Sequence, residues 1–423
     1  MTLRRIAALV FVLPVGMAAC TGGGSAQQAS PAAPVPHQML VLDRSSGVEA
    51  IDPSTGTVMF QRGALTPLPD WSKAFTASQA DGTTDVREID PATGSTATSV
   101  SVDGRYEIGA VSSDGDAVAL VQPSDGAQTW TPVGRSRTTI VVAQPGDPSG
   151  SSKPYRLDGN YVPEAFSSDG SELLMLEYQP PAHPDSYEVV RLDLSSGKVG
   201  DLYGRTKFAS PMGPMSGTRL QQVPAPDGSR LYTLYTDQPA DYAKEYSEYS
   251  GSGHAPVAFV HTLDLQEKWA YCVDLPRAFG PGDAEAKAIA ISPDGSRLYA
   301  VDTDRGLIAA IDTQRLQVVG RRHVDLGLSD RGQTVASVSG DGGTLFVGRD
   351  SGVVALGIED MKPVQRWSLS GETSGLLSSS DGSRLYATTS SELGVYDPRT
   401  GQELRTVPVS GVTGIAYLGT AAG

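Results

Sequence analysis

The stretch Ala288-Ile289-Ala290-Ile291-Ser292-Pro293-Asp294-Gly295-Ser296-Arg297-Leu298-Tyr299-Ala300-Val301-Asp302 decides how the chain is read. Apolar residues alternate on either side of a Pro-Asp-Gly turn, which predicts two short antiparallel strands joined by a hairpin. Leu307 to Asp312 and Gln317 to Val324 add a third and a fourth alternating run, so the unit is four strands in about 40 residues. The same turn recurs at Ser113-Asp114-Gly115, Ser168-Asp169-Gly170, Pro226-Asp227-Gly228, Gly340-Asp341-Gly342 and Ser380-Asp381-Gly382, and in a degenerate form at Pro69-Asp70-Trp71. A second signpost marks the hairpin between strands three and four: Asp52-Pro53-Ser54-Thr55-Gly56, Asp90-Pro91-Ala92-Thr93-Gly94, Asp193-Leu194-Ser195-Ser196-Gly197 and Asp397-Pro398-Arg399-Thr400-Gly401. Asp accepts backbone hydrogen bonds, Pro presets φ and Gly supplies a positive φ. These aspartates therefore recur as turn formers, not as catalytic carboxylates.

Repeated four-stranded units predict an all-β chain folded as one β-propeller. Met39 to Asp43 aligns with the second strand of a unit, and Val412 to Leu418 reads as a lone first strand. Pairing this C-terminal strand with the N-terminal blade would close the ring and leave no open sheet edge. That hybrid blade plus one unit for each of seven turns gives eight blades. Seven is the alternative if the unit around Asp70 is not a full sheet.

Ser-Pro-Asp-Gly-Ser-Arg-Leu-Tyr followed by Asp-x-x-x-Gly resembles the YVTN-type, WD40-like repeats of bacterial surface propellers, over residues 39 to 418. The Asp-Pro-x-Thr-Gly hairpins are also similar to those of quinoprotein-like propellers, including the lipoprotein of the outer-membrane assembly machinery. Both resemblances imply the fold and leave the function open, because propellers carry hydrolases, dehydrogenases and pure scaffolds alike.

Ahead of the repeats, Arg4 and Arg5 precede an apolar run from Ile6 to Met17, and Met17-Ala18-Ala19-Cys20 follows. This pattern resembles a lipoprotein signal peptide spanning residues 1–20, with Cys20 as the lipidated residue. The resemblance implies an exported chain anchored to the outer face of a bacterial cell membrane. Residues 21–37, rich in Gly, Ala, Ser, Gln and Pro, read as a flexible tether to a propeller at 38–423. Cys272 is the only other cysteine, so with Cys20 lipidated it has no disulfide partner and reads as a buried, inert thiol.

A net charge of −15, without clustered Lys and Arg, excludes a nucleic-acid partner. The five histidines show no metal-ligand spacing, and no nucleophile elbow or phosphate loop occurs. No metal, cofactor or catalytic residue is expected. The blades instead differ in their loops. The loops between strands two and three emerge on the same face as the linkers between blades, and the extensions use those positions: 122–137, 178–187 and 237–255, with linkers 205–217 and 277–285. Blades six to eight have short loops.

Tyr242, Tyr246 and Tyr249 fall at i, i+4 and i+7 in the longest insertion, which also holds His254. Loop tyrosines favour interfaces because they bury area at low entropic cost. With Trp130, Arg135, Arg137, Tyr178 and Tyr187 they form the candidate surface of blades three to five for a protein, peptide or glycan. The competing expectation is a small-molecule hydrolase, lactonase-like, with carboxylates at the channel mouth. A quinoprotein-type dehydrogenase is disfavoured, since its paired cysteines and tryptophan floor are not recognisable.

Overall fold

The computed structural model describes residues 38–123, 133–147, 149–204, 215–238 and 257–420. Within them the chain forms eight sheets, each a blade built on four antiparallel strands. Blade 1 is the hybrid: Gln38–Arg44, Gly47–Ile51 and Val58–Arg62 are joined by Val412–Thr420. The closing strand pairs along the whole of Gln38–Arg44, from Gln38 opposite Thr420 to Arg44 opposite Val412. Side chains reinforce the join. Arg44 binds Glu49 and the Ser410 carbonyl, Tyr386 donates to the Gln38 side chain, and Arg405 reaches the Ser54 carbonyl.

The unit around Asp70 is a full sheet, which makes the count eight: Thr66–Pro67, Ala74–Ala80, Thr83–Ile89 and Thr96–Asp103 form blade 2. Its turn keeps the shape although Trp71 replaces Gly, because Trp71 itself takes the left-handed conformation at φ 56°. The ring stacks on Tyr417 of the closing strand at 4.8 Å, which offsets the backbone cost of about 1–2 kcal/mol for that conformation.

Blades 3 and 4 start at Glu107 and Asn160, and blades 6, 7 and 8 at Lys287, Val335 and Gly375. Blade 5, starting at Thr218, carries a fifth strand. Tyr203–Gly204 leaves blade 4 and lies parallel to Trp269–Ala270 on the outer edge of blade 5.

The turns between strands one and two are built alike. At Ser292, the hydroxyl donates to Asp294 Oδ1 at 2.6 Å and accepts from the Arg297 N–H at 3.0 Å. Asp294 accepts from the Ser296 N–H, and Gly295 sits at φ 70°. Ser112, Ser167, Ser339 and Ser379 make the same hydroxyl contact with the Asp two residues on. Every donor and acceptor is within five residues, so each turn is a local decision.

The core is not central but divided among the seams between blades. One apolar cluster fills the seam of blades 5 and 6, around Tyr232, Phe279, Ile289 and Leu298. Another fills that of blades 7 and 8, around Phe346, Leu376 and Tyr396. The seam of blades 4 and 5 is the exception and is split in two. Polar side chains cross it: Arg219 Nη1 meets Glu164 Oε1 at 2.7 Å, and Gln222 donates to the other oxygen at 3.1 Å.

Candidate functional site

Strand order gives the propeller two faces. The turn face carries the one-to-two and three-to-four hairpins, and the loop face carries the two-to-three loops and the blade linkers. Charge chemistry divides between them. Among the described residues, all twelve aspartates held below the usual carboxylate range lie on the turn face: Asp52, Asp70, Asp114, Asp147, Asp169, Asp193, Asp227, Asp294, Asp312, Asp341, Asp360 and Asp381. Donors of the turn outweigh desolvation in each. For Asp294 the Ser292 hydroxyl leads, followed by the Ser296 N–H. The carboxyls pushed up by desolvation, Asp43, Glu188, Asp237, Asp274 and Asp302, all lie at strand ends of the loop face.

On the loop face, the insertions of blades 3 and 4 are fused into one rim. The Arg135 N–H donates to the Pro181 carbonyl at 2.8 Å. Asn160, fully buried, bridges both loops by donating to the Val133 carbonyl at 3.1 Å and the Pro181 carbonyl at 3.2 Å. Gly134 packs so closely on Ala182 that a Cβ there would lie 1.9 Å from its carbonyl oxygen, so only glycine fits. Arg135 also reaches the carbonyls of Gln122 and Pro123. Arg137 stands on the outside, 82% exposed, paired with an equally exposed Asp158 at 3.0 Å. Its ion pair is worth little, so the guanidinium is available to a partner.

Tyr178 and Tyr187 need correction. The sequence reading set them on the binding surface, whereas each is only 6% exposed and faces the seam of blades 4 and 5. They belong to the strands Glu172–Gln179 and Ser186–Asp193 rather than to the loop, and strand alternation turns them inward. Their rings begin a run of aromatics, Tyr178 to Tyr187 at 5.4 Å, Tyr187 to Tyr235 at 5.5 Å and Tyr235 to Phe259 at 5.1 Å. Burial pushes all three phenols up, so they stay neutral. These rings support the rim from beneath. Cys20, Trp130, Tyr242, Tyr246, Tyr249 and His254 lie outside the described residues.

A charged cluster that the sequence did not announce occupies the loop face where blades 5, 6 and 7 meet. Lys287, 3% exposed, donates to the carbonyls of Asp283 at 2.8 Å and Gly282 at 3.2 Å, and burial pushes its pKa down. Asp302, with no exposed surface, accepts from the Arg305 N–H at 3.1 Å, and burial raises it. Arg349, also fully buried, binds Asp304 and the Thr303 hydroxyl, and its other nitrogens take the carbonyls of Gly332 and Asp330 at 2.8 and 3.1 Å. Asp237, at φ 59°, is the stem of the longest insertion, and burial raises its carboxyl against the opposing pull of Lys287. Among the described residues, no group of three or more His, Cys, Asp and Glu could hold a metal ion.

No family model matches the chain, and no curated protein matches its sequence. Solved structures do. The chain is similar to the dihydro-heme d1 dehydrogenase NirN, solved in complex with DHE, at 13% identity and a TM-score of 0.52, covering 91% of this chain and 75% of that one. It is similar to apo AztD from Citrobacter koseri at 11% identity and a TM-score of 0.52, covering 91% of this chain and 98% of the other. At such identities the likeness is one of fold.

Proposed function

We propose that the chain is a binding or scaffolding module of a bacterial envelope, whose propeller engages a protein, peptide or glycan through the loop face of blades 3 to 5. The observation that carries this reading is the rim itself. Two insertions from neighbouring blades are tied together through Asn160, and in the sequence the third and longest begins at Asp237 in the next blade. Building an extended, rigid edge on one face while the opposite face stays a ring of uniform turns is how a scaffold presents a recognition surface. Exposed Arg137 and the tyrosine-bearing insertion supply the anchors that interfaces favour.

The test uses the full chain as bait for photo-crosslinking in intact envelopes. Removal of residues 239–253, or Arg137→Glu, is expected to leave the melting temperature unchanged and to abolish the crosslinked species. Retention of the same species in both variants refutes the site. Within this reading Cys20 carries the lipid anchor, and Cys20→Ala should move the chain from the membrane to the soluble fraction.

A second reading, a small-molecule hydrolase of the lactonase-like kind, draws on the desolvated Lys287, Asp237 and Asp302. It predicts turnover of a panel of sugar lactones that Asp302→Asn abolishes. Lys287 and Asp302 are already held by internal partners, which favours a structural role for the cluster.

A further inference from the structure

In the split seam between blades 4 and 5, three soft donors from distant parts of the chain converge. Cys272 Sγ lies 3.8 Å from Met215 Sδ and 3.7 Å from His261 Nδ1. His261 and Cys272 are directly opposite on the strands Val257–Asp264 and Trp269–Asp274. Met215 is brought over them by the linker into blade 5, fixed by a two-way backbone bridge to Tyr187, with both bonds at 2.8 Å. Met215 and His261 are 5% and 4% exposed.

We propose that Met215, His261 and Cys272 form a binding site for a soft monovalent metal ion, copper(I) in the cell. With metal–sulfur and metal–nitrogen bonds of about 2.3 and 2.0 Å, a trigonal arrangement separates two sulfurs by about 4 Å and a sulfur from a nitrogen by about 3.7 Å. The two separations measured from the Cys272 sulfur match these values. The donor set selects the ion: a thiolate, a thioether and an imidazole suit copper(I), whereas hard cations ignore a thioether.

Charge points the same way. Binding releases the thiol proton, Cys–SH + Cu⁺ giving Cys–S–Cu + H⁺, so ion and thiolate sum to zero in the seam. A divalent ion would add net positive charge near Arg219, which already acts against a charged His261.

His261 Nδ1, 3.7 Å from the Cys272 sulfur, is the nitrogen that would bind the ion.

The experiment uses the full chain carrying Cys20→Ser in every arm, so that Cys272 is the only thiol. Copper(I) is titrated anaerobically in competition with bicinchoninate, and zinc(II) is titrated in parallel. One equivalent of copper(I) is expected, with X-ray absorption reporting two sulfurs and one nitrogen. Cys272→Ser should weaken binding by about 100-fold or more, and Met215→Leu, which keeps the volume and therefore the fold, by about 10-fold. Copper(I) should also raise the melting temperature, and Met215→Leu should shrink that rise. Equal uptake by the parent and Cys272→Ser, a first shell without sulfur, or tighter zinc(II) than copper(I) binding would each overturn the assignment.

Discussion

The two faces of this propeller are made of the same residue types and work by different rules. On the turn face, an aspartate meets donors supplied by its own hairpin, and the solution repeats from blade to blade. Ser292 and Asp294 stand for Ser112 and Asp114, Ser339 and Asp341, or Ser379 and Asp381. On the loop face the solutions differ: Arg349 takes its partners from blade 6 and the linker into blade 7, Lys287 takes carbonyls of the linker before its strand, and Asp302 is met by Arg305 of its own loop. Repetition makes a stable ring, and departure from repetition makes a surface that can recognise something. That difference is why the proposed function is placed on the irregular face.

The largest break in that comparison comes from the loop face. Arg349→Ala removes a buried guanidinium and leaves Asp304 and two carbonyls without it, which should cost about 3–5 kcal/mol in urea unfolding. A turn-face lesion should be much smaller. Ser292→Ala loses one hydroxyl that both donates to Asp294 and accepts from the Arg297 N–H, for about 1–2 kcal/mol, and the same change at Ser379 should cost about as much. If the two serines differ as widely as Arg349 differs from either, the turns are not equivalent.

Trp71→Gly probes the one irregular turn. It relieves the left-handed backbone and loses the Tyr417 stack, two effects of about 1 kcal/mol each, so the net change in unfolding free energy should stay within about 1 kcal/mol.

Acid titration sharpens the contrast by sign. Asp294 has a folded pKa below its unfolded value of about 3.9, so the stability it contributes is complete above that pH and is lost as pH falls through the folded value. Asp302 is raised, so its contribution is present below the unfolded value and is lost as pH rises through the folded one. Compared with the parent, Asp294→Asn should therefore flatten the loss of stability below pH 4, and Asp302→Asn should steepen the loss on acidification. Melting temperatures between pH 3 and 7 read both, and like signs would dissolve the distinction between faces.

The same contrast explains what could be read from the chain. A turn closed within five residues leaves its signature in five residues, and even Trp71 could be recognised because Asp70 and the flanking strands remained. The hybrid blade was legible because strand phase, not a partner, identified Met39 to Asp43 as a second strand. Arg349 pairs with Thr303 and Asp304, 46 and 45 residues away, and no local pattern distinguishes it from a surface arginine. Tyr178 and Tyr187 were read as loop residues because they flank the insertion, yet the strands extend through them and alternation decides their side. Asn160 and Gly134, which tie the rim together, carried no signal beyond being polar and small. His261 and Cys272 are 11 residues apart on neighbouring strands, whereas Met215 is 57 residues from Cys272 and joins them only because blade 5 folds against the chain leaving blade 4.

The join in blade 1 also sets an order of events. Arg44 binds the Ser410 carbonyl across 366 residues of intervening sequence, so a ribosome making this chain finishes the lock only after seven other sheets have been made. Until Val412–Thr420 emerges, Gln38–Arg44 of blade 1 is a raw edge able to pair with another unfinished copy, whereas blade 8 is complete in its own four strands. Contacts of such separation are slow to form, and the interval before closure is the chain's most vulnerable period. A cell producing it must shield that gap in time, and truncation of the last strand would make the exposure permanent.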